Sequence, residues 1–112
     1  MDETLIQTKS FEFALSMVRL YKKLQARQEF ILSSQLLRSG TGIGVNVEEA
    51  ANHDRKHHNQ DFTQAMMMAA KEARETRYWL KLLQESHLVD VDVSNELNQL
   101  TELMELLNSV VE

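Results

Sequence analysis

The sequence predicts an all-α protein, an antiparallel up-down-up-down four-helix bundle, on three observations. Apolar residues recur at steps of three and four along four long stretches, which is the spacing of one helix face. There is no proline among the 112 residues, and charged residues make up 26%. Long helices fit that composition better than a sheet, because the strongest helix breaker is missing. The segments between the stretches are short and polar, and short connections bring successive helices together as antiparallel neighbours.

The first helix is expected over residues 9–26, with residues 1–8 frayed. Its apolar pattern is wide: Phe11, Ala14, Val18 and Tyr21 form one stripe, and Phe13, Met17, Leu20 and Leu24 form another. Together they cover roughly 200° of the helix wheel, about twice the arc of a helix that buries one face. A single bundle core does not need that surface, so Phe13, Met17, Leu20 and Leu24 are assigned to a subunit interface. Gln25 to Glu29 is read as a short polar connection.

The second helix, expected over residues 30–52, carries the stretch around which the chain is organised. All three glycines, Gly40, Gly42 and Gly44, lie in it, yet Leu36, Gly40, Ile43, Val47 and Ala50 keep helical phase. Each glycine weakens a helix by roughly 1 kcal/mol relative to alanine, so close packing must offset the loss. Gly40 and Gly44 stand four apart on one face, where a second backbone can approach. The spacing matches neither a dinucleotide fingerprint nor a phosphate loop, which need G-x-G-x-x-G after a strand or a terminal Gly-Lys-Ser/Thr.

After the polar stretch from Asn52 to Gln60, Asp61 is a plausible cap for a third helix over residues 61–87. Phe62, Met66, Ala69, Ala73, Thr76, Leu80 and Leu83 alternate steps of four and three without a miss. A second stripe adds Ala65, Met68, Trp79 and Leu82. Val89 to Ser94 alternates like a strand but is too short and lacks a partner. It is read as a turn in which Asp92 or Ser94 caps a fourth helix over residues 94–111. That helix places Leu97, Leu100, Met104, Leu107 and Val111 on one stripe, with Leu103, Leu106 and Val110 beside it.

Three segments carry a resemblance: QLLRSGTGIGVNVEEA (Gln35 to Ala50), Asp61-Phe62, and KEARETRYWLKLL (Lys71 to Leu83). The chain resembles the S23-like four-helix-bundle proteins encoded in 23S ribosomal RNA intervening sequences. That family is related to accessory proteins of diversity-generating retroelements, which associate with a reverse transcriptase and nucleic acid. The resemblance implies a left-handed bundle, a homopentamer, a bacterial source, and no catalytic residues or cofactor. Gly42 and Val45 depart from its usual pattern, which has serine and alanine there.

Composition narrows the function classes. With no cysteine there is neither a disulfide framework nor a thiol nucleophile or metal site, in keeping with a cytoplasmic protein. The amino terminus opens with acids and lacks the basic flank and apolar core of a secretory signal. The apolar run from Ala65 to Ala70 is far short of the ~20 residues a membrane span needs, so no membrane partner is expected. The net charge of −5 is concentrated at the end, where residues 89–112 hold six acids and no base.

Three clusters are weighed against plainer readings. His53, His57 and Asp61 would share one face at i, i+4 and i+8 if their segment is helical, a spacing that suits zinc; the plainer reading is a solvated linker. Arg19, Lys23 and Arg27, with Lys22 alongside, form a basic stripe that would contact phosphates if RNA binds; the plainer reading is the polar face of an amphipathic helix. Glu72 and Glu75 share a face with Met68 and Trp79, and buried acids need partners, which Arg38 or Arg74 can supply. The reading reached is a non-enzymatic, homo-oligomeric scaffold without a cofactor, with RNA binding by helix one as the alternative and metal binding at His53 and His57 as the weaker one.

Overall fold

The apolar stripes fold as four α-helices in a computed structural model that describes residues 3–53 and 59–111. The helices are α1 Glu3–Ala26, α2 Ile31–Ala51, α3 Asn59–Ser86 and α4 Ser94–Val111. There is no strand among the described residues. Each helix packs against its neighbours in the chain, and α4 closes the ring onto α1, leaving α1–α3 and α2–α4 across the diagonals. The chain measures 48 × 19 × 18 Å, one long helix by two helix diameters. No helix among the described residues is long and apolar enough to cross a membrane.

The core follows the expected main stripes on α2 and α3. α2 buries Leu36, Gly40, Ile43, Val47 and Ala50, and it runs unbroken through its three glycines, none of which has a positive φ. Every member of the main α3 stripe from Phe62 to Leu83 is buried. On α4 the buried phase is shifted from the expected main stripe: Leu100, Leu103, Leu107 and Val110 are buried, while Leu97 and Met104 are only partly buried against the core.

Two expectations for α1 are corrected. The helix begins at Glu3 rather than Lys9, because Ile6 is fully buried and anchors the first turns to the core. Lys9 Nζ adds an ion pair to Glu102 Oε1 on α4 at 3.0 Å. The second correction concerns Phe13, Met17, Leu20 and Leu24, which are at most 3% exposed in the single chain. They form its core, where no second subunit reaches them. The surplus apolar surface of α1 is the other stripe, with Phe11 and Val18 exposed, and Leu15, outside either stripe, exposed beside them.

Both short connections are built by side chains. α1 ends with Gln28 in a left-handed conformation at φ 63°, while the Arg27 and Glu29 amides donate to the Leu24 carbonyl at 3.0 and 2.9 Å. This is the hydrogen-bonded helix stop that glycine usually occupies. Glu29, expected to be part of a polar loop, is buried instead. Its Oε2 accepts from the amides of Ile31 and Leu32 at 3.1 and 3.0 Å, and its Oε1 from the Ser33 amide at 2.7 Å. One carboxylate thereby satisfies three amides that would otherwise lack partners at the start of α2, and its negative charge complements the helix dipole. At the other connection Asp92 Oδ1 accepts from the Ser94 amide and hydroxyl at 3.0 and 2.6 Å, as the turn reading expected. The Ser94 hydroxyl, then its amide, holds the Asp92 carboxyl below its ordinary value.

Candidate interaction surfaces

The seam between α2 and α3 is closed by side chains of both helices. At its centre Ser39 and Thr76 are both fully buried. Thr76 Oγ1 lies 2.8 Å from Ser39 Oγ and 2.8 Å from the Glu72 carbonyl oxygen. A hydroxyl has one proton to give, so the Ser39 hydroxyl supplies the other bond. Further out, the Arg38 guanidinium pairs with Glu75, lies 4.0 Å from Glu72 and donates to Gln35 Oε1 at 3.0 Å. The Trp79 indole N–H donates to Glu75 Oε2 at 3.3 Å. That bond, followed by Arg38 and the nearby Lys71 charge, holds the Glu75 carboxyl below its usual value against a partial burial that pushes the other way. The acids of α3 thus meet Arg38 within the chain. Arg74 plays no part in these pairs.

The three glycines serve different neighbours. A β-carbon on Gly40 would overlap Met17 Cγ and stand 2.9 Å from its Sδ, and Met17 is fully buried, so α1 and α2 meet there without room for a methyl group. A β-carbon on Gly42 would overlap the Glu72 carboxylate oxygen, the free end of a flexible side chain. At Gly44 the nearest atom would be the Ser10 carbonyl oxygen at 3.6 Å, an ordinary contact. The pair Gly40 and Gly44 expected from spacing is therefore divided: packing within the chain requires the first and not the second.

Gly44 instead lines a groove on the outside of α1 and α2. Ser10, Phe11, Ala14, Gly44 and Val45 line a cavity of about 410 Å³ there, together with the polar Thr41, Glu48, Glu49 and Asn52. Phe11 is 64% and Val45 68% exposed. On α3, Met67, Met68, Tyr78 and Leu82 are exposed as well, interleaved with the exposed bases Lys71, Arg74, Arg77 and Lys81. Tyr78 packs edge-on against Trp79, with ring centroids 5.2 Å apart.

The basic stripe of α1 is only partly available. Arg19, Lys22 and Lys23 are exposed and lie in no ion pair among the described residues. Arg27 is engaged: its guanidinium donates to the Asp90 carbonyl oxygen and ties the two connections together. At the opposite end His53 Nε2 lies 3.3 Å from Glu49 Oε1, and both line a shallow groove with Asp61. His57 lies outside the described residues, among which no three His, Cys, Asp or Glu side chains are grouped to hold a metal ion.

Comparison with known proteins agrees with this architecture. The structure is similar to a crystal structure of a protein with unknown function from the S23 ribosomal protein family of Bacteroides thetaiotaomicron VPI-5482. The two share 39% identity over 99% of this chain and 98% of that one, with a TM-score of 0.90. No curated protein matches the chain. The profile of the 23S rRNA-intervening sequence protein family matches residues 2–109, and the chain belongs to that family.

Proposed function

We propose that the chain is a non-enzymatic scaffold that acts as a homo-oligomer, with the five subunits that the family resemblance implies, in the cytoplasm. The observation that carries this reading is the exposed apolar surface on two sides of the bundle: Phe11, Leu15, Val18 and Val45 on α1 and α2, and Met67, Met68, Tyr78 and Leu82 on α3. Monomeric soluble proteins rarely leave large contiguous apolar patches in water, and closed symmetry is the usual way to cover them. The helices run up-down-up-down in a left-handed bundle in this reading. Residue pairs support the alternating direction: Ser10 meets Gly44 where Met17 meets Gly40, and Lys9 meets Glu102 where Ser16 meets Gln99.

The test compares two kinds of aspartate substitution by sedimentation velocity and circular dichroism. Phe11→Asp and Val18→Asp, at exposed positions, keep the helical spectrum and shift the protein towards monomer. Met17→Asp buries an unpaired charge and loses the fold, at about 3–5 kcal/mol. Wild-type-like sedimentation of both surface variants overturns the assignment.

A second reading, an RNA- or ribonucleoprotein-binding module, rests on Arg19, Lys22 and Lys23, which are exposed without carboxylate partners among the described residues. Binding through them falls steeply with salt, and reversing Arg19 and Lys23 to glutamate abolishes it. Affinity that does not change with salt removes this reading.

A further inference from the structure

We infer that the cleft between α3 and α4 binds a small amphiphilic carboxylate, an organic acid with one charged end and a short apolar body. Ala70 and Arg74, one turn apart on α3, and Met104, Leu107 and Asn108 on α4 line a cavity of about 230 Å³ there. None of the five is among the exposed apolar residues assigned to assembly above, so the inference stands apart from that reading.

The cavity joins an apolar base to polar groups that the chain leaves unused. Leu107 is 0% and Ala70 8% exposed, and Met104 is partly buried against the core, so the space reaches the apolar interior. The short side chain of Ala70 leaves it open where a leucine would fill it. Arg74 and Asn108 are both exposed. The Arg74 guanidinium forms no ion pair and no hydrogen bond with the described residues. The Asn108 carboxamide forms no hydrogen bond with them either. Both side chains therefore keep their N–H donors for a ligand.

Charge selects the class of ligand. Arg74 is the one ionisable side chain among the residues that line this cavity. The grooves beside α2 have the opposite sign, with Glu48 and Glu49 in the one shared with α1, and Glu49 and Asp61 in the one shared with α3. A guanidinium presents a planar fork of donors that matches the two oxygens of a carboxylate. One such cation balances one carboxylate, whereas a phosphate group would bring excess negative charge. Size selects within the class. Sites for drug-sized ligands occupy about 300–1,000 Å³, and this cavity is smaller. A short hydrocarbon body covers Ala70, Met104 and Leu107 and is removed from water as it does so.

The experiment titrates the purified full chain with hexanoate at neutral pH and follows binding by saturation-transfer NMR on the ligand. Hexanoate binds saturably at millimolar concentration. Acetate lacks the apolar body and hexanol lacks the charge, and each binds more weakly by about tenfold or more. Arg74→Met keeps the apolar stem, loses the charge and weakens hexanoate by about ten- to a hundredfold, the range for lost charge-assisted hydrogen bonds. Arg74→Glu inverts the preference and takes hexylammonium in place of hexanoate. Ala70→Leu fills the cavity and removes binding with Arg74 still present; should it fail to fold, the two variants at the exposed Arg74 carry the test. No saturable binding to the wild type overturns the site, and so does equal affinity for hexanoate and hexanol. Hexanoate binding that persists undiminished in Arg74→Met, or in a folded Ala70→Leu, overturns it as well.

Discussion

The two sides of α2 treat the same residue type in opposite ways. Towards the interior and α3, the helix is filled: Gly40 is pressed against Met17, Gly42 admits the Glu72 carboxylate, and the Ser39–Thr76 and Arg38–Glu75 contacts close the seam. On the outer side with α1 the helix is left open, and Gly44 borders a cavity that nothing in the chain occupies. A glycine that a neighbour presses against reports on folding. One that faces open space calls for a reason outside the subunit.

Substitutions at the glycines break the comparison most directly. Gly40→Val forces side-chain atoms into Met17 and the filled core, and about 3 kcal/mol of stability is lost by overpacking, measured by urea unfolding. An unchanged midpoint would show that α1 and α2 can separate there at no cost.

Glu29→Ala has the next largest effect. Three amides at the start of α2 lose their acceptor, and loss of a cap costs about 1–2 kcal/mol. Glu29→Gln keeps one of the two acceptor oxygens and falls between, in the same unfolding experiment.

The seam is sharpened by pH. The folded-state pKa of Glu75 is lowered from 4.5, so its contribution is complete above that value and disappears as pH falls through the folded value. Wild-type stability therefore drops on acidification below 4.5 in a component that Glu75→Gln lacks. Parallel curves for the two proteins would contradict the role given to Trp79 and Arg38.

Gly44→Ala has the smallest effect on the fold and the opposite sign. With no atom closer than 3.6 Å to the added β-carbon, the subunit gains about 0.5–1 kcal/mol from helix propensity, while a larger Gly44→Leu fills the groove and weakens assembly. Loss of stability in Gly44→Ala would return this glycine to helix packing.

Much of this was legible because burial imposes a period. Leu36, Ile43 and Val47 on α2 and the stripe from Phe62 to Leu83 on α3 stand where steps of three and four placed them. The partnership of Arg38 with the α3 acids was legible too, since acids near an apolar face need cations. On α1, periodicity gave the width of the apolar arc but not which half faces inward, which depends on the packing of α2 and α4. A signal was available: Ile6, Ser10, Phe13, Met17, Leu20 and Leu24 continue one phase back to the first turns, while the Phe11 stripe runs no further back. Glu29 escaped because a carboxylate reaching forward to cap from outside the helix leaves no periodic trace. The division between Gly40 and Gly44 depends on Met17 and Ser10, residues of another helix, and spacing within α2 does not contain it.

The account stands on the claim that the open side of the bundle is covered by other copies of the chain. Static light scattering on the purified wild type at micromolar concentration tests it most directly. The predicted result is a single species of five times the 13.0 kDa chain mass, stable on dilution. A monodisperse 13.0 kDa species would contradict it and leave the exposed Phe11, Val45 and Tyr78 without a partner.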